Sequence, residues 1–584
     1  MADCVFDPVQ PFVLLDDAAS GRAILFSRLL ETVSAERPEQ VASALARLGN
    51  GGAEGGDWAG WLGFEAGHAL EPRLAGLQRT PPAGQPLLWF GRFAEVQEVE
   101  AAALLAGHGP ALPGPVRPLM DAAGHGAALA RVQALIEAGD IYQANLTFPA
   151  ALQFSGHPLA LYARLRAANA APHGALVHDG RHWLLSLSPE LFFRLDGKLL
   201  TTRPMKGTAR RGATAAEDRA LAAALRADPK NRAENLMIVD LLRNDLSRVG
   251  RDVGVPALFE VETYPSILQM TSTITARLRP GLGAADVLAA LFPCGSVTGA
   301  PKIRAMEVIA EVEPAARGAY TGSIGCVRAN GDARFNVAIR TLVVPGGAHE
   351  ASLGLGSGVV ADSDAADEWQ ECLAKAGFLA RRPPPDLLET MRCEAGVLPD
   401  LDRHMARMAA SAAFLGLRFD EAAVRARLAE AVALNDMRHD GRVRLLLAPS
   451  GAVAVQLSPL PAAVAGPVAA AVVPLPVEAG DWRLRHKTLD RGFYDAARRA
   501  GGAFEAVLVR PDGLVTEGSF TNVFVERDGR LVTPALALGL LPGVLRGRLL
   551  DEGRAVEGEV RVADLSGGFW LGNALRGLMR AQLA

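Results

Sequence analysis

The segment Asp364 to Phe378, DAADEWQECLAKAGF, places two carboxylates and an ammonium at helical spacing: Glu368, Glu371 and Lys375 fall on one side of a helix. Trp369, Cys372, Leu373 and Ala376 repeat at i, i+3, i+4 and i+7 on another side, the pattern of a stripe turned toward a core. A third acid, Glu234, stands in Asn231-Arg-Ala-Glu-Asn-Leu-Met-Ile-Val-Asp240 at the head of an apolar helical pattern. Together the three acids could form an oxygen-rich site for Mg²⁺, a hard cation that takes a few carboxylates and completes its shell with water and substrate. The competing reading is a solvated face of surface ion pairs. Glycines in Gly354-Leu-Gly-Ser-Gly358 would let backbone N–H groups approach an anion closely.

These groups need elements to hold them, and a chain of 584 residues is too long for one core, so two to four domains are expected at about 100 to 200 residues each. The boundary signal is Arg381-Arg382-Pro383-Pro384-Pro385-Asp386, where three prolines forbid helix continuation. Residues 1–378 form the first expected domain, 379–386 a short stiff linker and 387–584 the second domain. Short β-like runs (Leu184 to Leu187, Leu191 to Leu195, Val337 to Val344) alternate with alanine-rich helical stretches before the boundary, which predicts a large α+β domain. Composition is that of an ordinary globular protein, 49% hydrophobic and 21% charged, and a formal charge of -4 leaves no footprint for nucleic acid. Five scattered cysteines (Cys4, Cys294, Cys326, Cys372, Cys393) form no CxxC pair, which argues against a disulfide framework or zinc site and fits a reducing cytoplasm. No signal peptide is read in MADCVFDPVQ, and the apolar run Pro459 to Val477, interrupted by prolines and a glycine, is placed on strands and loops, not in a membrane.

Six further motifs occur in order: Gly60-Trp-Leu-Gly-Phe-Glu-Ala-Gly67, Gly139-Asp-Ile-Tyr-Gln-Ala-Asn145, Ser186-Leu-Ser-Pro-Glu190, Arg203-Pro-Met-Lys-Gly-Thr208, Phe292-Pro-Cys-Gly-Ser-Val-Thr-Gly-Ala-Pro-Lys302 and Phe335-Asn-Val-Ala-Ile-Arg-Thr341. Over residues 10 to 380 the chain resembles the chorismate-utilising enzymes, specifically aminodeoxychorismate synthase component I, which implies a β-sandwich clothed in helices. The resemblance makes Lys206 the nucleophile that attacks C2 of chorismate as the C4 hydroxyl leaves, after which ammonia enters at C4. Such an amine must be partly deprotonated, which burial promotes. Anthranilate synthases are similar but carry alanine there; isochorismate and salicylate synthases carry a lysine base where Gln143 stands. Glu190 is implied as the general acid for the departing hydroxyl. Glu234, Glu368 and Glu371 map to the Mg²⁺ shell, and Thr208, Gln143, Tyr320, Arg340, Lys375 and the backbone of Gly356 and Gly358 to substrate binding. Two departures are Asn235, where anthranilate synthases usually have histidine, and Gln269, where many members have histidine. No glutaminase nucleophile elbow is present, so a separate glutamine amidotransferase subunit or free ammonium must supply the nitrogen.

After the boundary come Leu387-Leu-Glu-Thr-Met-Arg392, His404-Met-Ala-Arg-Met408, His486-Lys-Thr-Leu-Asp-Arg491, Val515-Thr-Glu-Gly-Ser-Phe-Thr-Asn-Val-Phe524 and Leu541-Pro-Gly-Val-Leu-Arg546. These resemble the fold-type IV pyridoxal-phosphate enzymes, aminodeoxychorismate lyase above all, which implies a smaller α/β domain. The resemblance gives Lys487 as the Schiff-base lysine and Glu517 as the acid near the pyridine nitrogen. It gives Arg407, Asn573 and the amides of Val544 and Leu545 as the phosphate end, and Thr390 as a substrate contact. The domain lacks the strand and loop that usually precede the Glu-Thr-Met-Arg element. The chemistry joins the halves: amination at C4 of chorismate, then elimination of pyruvate to leave 4-aminobenzoate, a folate precursor. A fused fold-type IV aminotransferase is one alternative. An anthranilate synthase component I-like enzyme with a non-catalytic docking or dimerisation domain is another. A homodimer is expected because fold-type IV relatives are commonly dimers.

Overall fold

The computed structural model describes residues 7–49, 56–212, 214–264, 267–434 and 440–584. Cys4 lies outside them; the other four cysteines are buried free thiols. The chain divides into two compact units, residues 1–210 with 222–383, and residues 211–221 with 384–584.

The first unit is one continuous run of antiparallel strands folded over on itself. From Ile267–Leu278 the pairing passes through Leu199–Arg203, Leu191–Asp196, Ala333–Asn336, Ser323–Val327 and Asp57–Leu62. It continues through Leu88–Glu100, Arg22–Ala35, Phe12–Asp17, Gly174–His178 and His182–Ser186. It ends through Thr341–Pro345, Glu350–Val359 and Gln143–Ser155. Period-two alternation gives each strand an inner and an outer face. Phe26, Trp61, Trp89, Val177, Leu184 and Ile324 fill one core cluster, and two further clusters lie where helices cover the strands. One takes helices Pro38–Gly49, Pro229–Val249 and Ala284–Leu291; the other takes Pro158–Asn169 and the segment from Ala365 to Leu379.

Helix Ala365–Lys375 begins where Asp364 caps it, its carboxylate accepting from the N–H groups of Ala366 and Asp367. Of the predicted apolar stripe, Cys372 is fully buried and Trp369 stacks on Phe148 with centroids 5.0 Å apart. Phe378 and Leu379 turn into the same core. The run Val337 to Val344 is a strand only from Thr341 onward. Arg340 adopts a φ of 50°, which ends any extended run through it, and Val337 and Ala338 bond instead to Glu190 O and Gly322 O.

The second unit holds two sheets. Leu387–Cys393, Gly441–Leu447 and Val453–Pro459 form an antiparallel three-stranded sheet packed on helices Leu401–Leu415 and Glu421–Leu434. The other sheet is mixed: Val468–Pro474 runs parallel to both Glu505–Val509 and Gly577–Leu583, and the rest of it includes Phe569–Asn573 and Asn522–Arg527. The apolar run from Pro459 to Val477 thus falls on the end of one strand, a connection and a second strand. Among the described residues no helix is long and apolar enough to cross a membrane. The segment Arg211–Leu221, interpolated from the first unit's chain, belongs here by its contacts. Arg211 pairs with Asp218 at 2.6 Å and lies 4.8 Å over the Phe414 ring, which in turn stacks on His486.

Candidate active sites

In the first unit, strand Met205–Arg210 carries Lys206, strand Gln143–Ser155 begins at Gln143, and strand Glu350–Val359 contributes Gly358. A Cβ on Gly358 would lie 2.4 Å from Gln143 Nε2 and 2.9 Å from Lys206 Nζ, so both side chains rest in the space that glycine leaves open. Four positions earlier on the same face, a Cβ on Gly354 would strike the Tyr320 ring at 1.9 Å, which sets that ring flat against the strand. Glu190 sits just before strand Leu191–Asp196, its N–H held by Ser188 Oγ at 3.2 Å. Gln143 Oε1 and Glu190 Oε1 are buried without a partner among the described residues. Each such orphan costs about 1 to 3 kcal/mol unless something polar arrives to meet it.

The electrostatics match that placement. Burial pushes the Glu190 carboxyl up to about 7, against the lowering pull of the Ser296 hydroxyl and the Lys206 charge. Burial also lowers Lys206, helped by Lys375 and opposed by Glu234, Glu371 and Glu190. Glu234 is raised by burial, with Lys206 and Lys230 pulling it down and Glu371 pushing it up. Glu371 is held low despite partial burial because Lys375 pairs with it at 2.8 Å. Lys375 also donates to Gly356 O at 2.7 Å. Thr208 is paired across the strands with Gln269, whose amide donates to Gly207 O at 2.8 Å. Asn235 donates to Lys206 O at 3.4 Å and accepts from Ser272 Oγ at 2.6 Å, so it steadies the lysine's own backbone.

Lys206, Gln143, Gly358, Glu190, Glu234, Glu371 and Lys375 are therefore brought together. Glu368 is further out: its Oε1 accepts from Ser363 Oγ at 2.6 Å and its Oε2 is a buried orphan. Among the described residues no group of three or more His, Cys, Asp or Glu side chains is close enough to hold a metal ion. The donors fit a hard cation by type, all being carboxylate oxygens, but a substrate carboxylate would have to complete the shell. Burial lowers Arg340 to about 10, helped by the charge of Arg381.

Sequence reasoning passed over Ser296 and Cys294, inside a quoted motif; the Cys294 thiol lies 3.2 Å from Ser296 Oγ and is pushed up to about 12 by burial. It also passed over Arg317. This buried arginine pairs with Glu313, reaches Val297 O and Asn145 O, and lies 4.3 Å over Phe64, tying three of the quoted motifs into one frame.

The second unit has a cavity of about 520 Å³ between its sheets, lined by Lys487, Glu517, Arg407, Thr390, Val544 and Asn573 among others. Leu388 N donates to Lys487 O at 2.9 Å, fixing the lysine beside the first strand. Burial lowers Lys487 to about 7, helped by Arg407, Arg491 and Arg444 and opposed by Glu389. Burial raises Glu517 to about 7 although Tyr494 Oη donates to it at 2.5 Å and Leu541 N at 3.1 Å. Arg407 grips Glu389 through Nε at 2.8 Å and Nη2 at 2.5 Å, and donates to Pro542 O at 3.0 Å. Glu389 is fully buried, yet Arg407 and His404 hold its carboxyl well below the usual range. The Nε2 of His404 is a buried orphan on the cavity wall.

Helix Val544–Asp551 starts at Gly543, its first intrahelical bond running from Gly547 N to Gly543 O, so the N–H groups of Val544 and Leu545 stay available to an anion. A Cβ on Gly543 would strike Asn522 Oδ1 at 1.7 Å. Asn573 uses its side chain on its own turn, accepting from Leu575 N and Arg576 N and donating to Phe520 O. A lysine near neutrality, a protonatable acid, a cation and open helix amides fit pyridoxal phosphate by chemistry.

Residues 10–381 match the family described as chorismate binding enzyme. The chain belongs to that family. Residues 386–583 match amino-transferase class IV. Among curated relatives, aminodeoxychorismate synthase component 1 of Bacillus subtilis is 42% identical over 260 residues, 44% of this chain and 55% of the relative. That of Salmonella typhimurium is 45% identical over 255 residues, 43% of this chain and 55% of the relative. Anthranilate synthase component 1 of Streptomyces coelicolor is 43% identical over 254 residues, 42% and 49% of the two chains. The chain thus spans about half the length of the curated relatives it matches. Anthranilate synthase component I from Streptococcus pneumoniae superposes with a TM-score of 0.54 at 26% identity, covering 62% of this chain and 92% of that one. The chorismate binding enzymes therefore supply fold and family, while relatives named for two different reactions are similar to nearly the same degree.

Proposed function

We propose that the chain makes 4-aminobenzoate from chorismate in two reactions, amination at C4 in the first unit and elimination of pyruvate in the second. The observation that carries the first is the Lys206 amine set in the space left by Gly358, beside Gln143 and coupled to a carboxyl near neutrality. The Lys206 amine bonds to C2 of chorismate as the C4–O bond breaks, and Glu190 gives its proton to the departing hydroxyl, which leaves as water. Ammonia then bonds to C4 and the lysine–C2 bond breaks, returning the amine. Gln143 has no proton-accepting nitrogen, so water is not activated in its place. Glu234, Glu368 and Glu371 would hold Mg²⁺, directly or through water, and the ion would neutralise a substrate carboxylate. Thr208, Tyr320, Arg340 and Lys375 with the Gly356 and Gly358 backbone would take the rest of the substrate. Relatives named as component 1 support a separate subunit as the ammonia source.

In the second unit Lys487 would carry pyridoxal phosphate, Glu517 would meet its ring nitrogen, and Arg407 with the amides of Val544 and Leu545 would meet its phosphate. The cofactor supplies electron withdrawal from carbon next to a substrate amine. Lys487, near neutrality, is able to take the C4 proton of the aminated ring; the enolpyruvyl group departs and the ring becomes aromatic. The match to amino-transferase class IV favours one second reading, an amine transfer to a keto acid.

Incubating the chain with chorismate, Mg²⁺, ammonium and pyridoxal phosphate tests both. Formation of 4-aminobenzoate and pyruvate is expected. Anthranilate would overturn the first half, and an aminated product that persists unless a keto acid is added would favour the second reading.

A further inference from the structure

The cavity around Lys487 is crowded with guanidinium groups, and most of them are spoken for. Arg407 is paired with Glu389, Arg483 with Asp481 at 2.7 Å, and Arg442 donates to Ser458 Oγ at 2.9 Å. Arg491 donates to Ser519 O at 2.7 Å. Arg444 has no side-chain hydrogen bond or ion pair among the described residues. It is nonetheless half-buried on the cavity wall.

Its direction follows from strand alternation. In Gly441–Leu447 the residues Val443, Leu445 and Leu447 enter the core beneath the sheet, so Arg442 and Arg444 take the opposite face. Arg444 stands across from Thr390 in the antiparallel register, and both line the cavity. A partly desolvated guanidinium with five donors and no acceptor is an unpaid cost until an anion with matching oxygens arrives, and a carboxylate meets it with two parallel bonds.

We infer that Arg444 is the specificity-determining residue of the second site, binding a carboxylate of a dianionic amine substrate while the substrate's amine meets Lys487. This rests on the proposed elimination reaction, whose substrate carries two carboxylates, and it explains why a site with an already anchored phosphate cation keeps a second, unsatisfied one. The charge of Arg444 is also among those that depress Lys487, so an arriving carboxylate would relax the lysine upward as substrate binds.

Full-length holoenzyme, Arg444→Gln and Arg444→Lys are compared by pyruvate release from supplied aminated chorismate. The KM of Arg444→Gln should rise roughly 10- to 100-fold, the loss of a charge-assisted pair, with kcat changed far less and Arg444→Lys recovering part of it. The pH at which the cofactor's visible absorbance titrates should move up in Arg444→Gln and stay in Arg444→Lys. A purely structural role would not sort the two by charge. Chorismate, which has both carboxylates and no amine, serves as an unreactive probe through the same absorbance and should bind Arg444→Gln about tenfold more weakly. Pyruvate release with an unchanged KM overturns the inference and leaves the elimination reading intact. No pyruvate from the unsubstituted holoenzyme overturns that reading, and the chorismate titration then decides Arg444: equal binding to both proteins overturns its role.

Discussion

A general acid works only while protonated, and Glu190 is poised by burial to hold its proton to about 7. The amination rate should therefore fall as pH rises through that value. Ser296 lowers the carboxyl by bonding to its ionised form, so Ser296→Ala should shift this limb to higher pH; a pH–rate profile with ammonia supplied in excess checks it, and an unshifted limb would remove Ser296 from the site. Lys206, Glu190 and Gln143 were legible in the sequence because each sits in a motif that also fixes its neighbours. Ser296 lies in an equally plain motif, but what its hydroxyl meets depends on a strand about a hundred residues away. Arg407 shows the same limit: the family resemblance pointed it to a phosphate, while the buried ion pair with Glu389 that fixes its orientation appears only when strand Leu387–Cys393 packs on helix Leu401–Leu415.

At the scale of elements, helix Ala365–Lys375 carries Glu368, Glu371 and Lys375 in one rigid array, and its start is set by one carboxylate. Asp364→Ala removes the acceptor for two backbone N–H groups and should cost about 1 kcal/mol, read as a lower thermal midpoint of unfolding, with the chorismate KM rising as the array loosens. Asp364→Asn should restore most of both. This helix was readable from its periodicity, as was the mixed strand-and-helix character of the first unit. The loss of the first half of the predicted strand Val337 to Val344 was not, because a left-handed residue at Arg340 is set by the hydrogen bonds of surrounding loops and leaves no mark in a pattern of apolar residues.

Across the whole molecule the proposed division of work between Lys206 and Lys487 predicts that their variants separate the two reactions. Lys487→Ala is expected to consume chorismate at the usual rate and accumulate the aminated intermediate without pyruvate, while Lys206→Ala still releases pyruvate from supplied intermediate; chromatography of the reaction mixture distinguishes these. Pyruvate from Lys487→Ala would sink the division. The proline boundary was plain in the sequence, since nothing helical survives three prolines. The second passage of chain between units, at Arg211–Leu221, was not, because an alanine-rich helix reads alike wherever it packs.

That passage makes the fusion interlaced. Two enzymes joined end to end can be parted at the join, and each piece keeps its whole fold. Here the fragment 1–383 would carry off Arg211, the cation that caps Phe414 and, through it, the ring of His486 next to Lys487. The fragment 384–584 would keep its lysine and lose residues 211–221 of its own unit. Severing the chain at the prolines thus parts the second unit from residues 211–221, while the first unit's residues stay on one fragment.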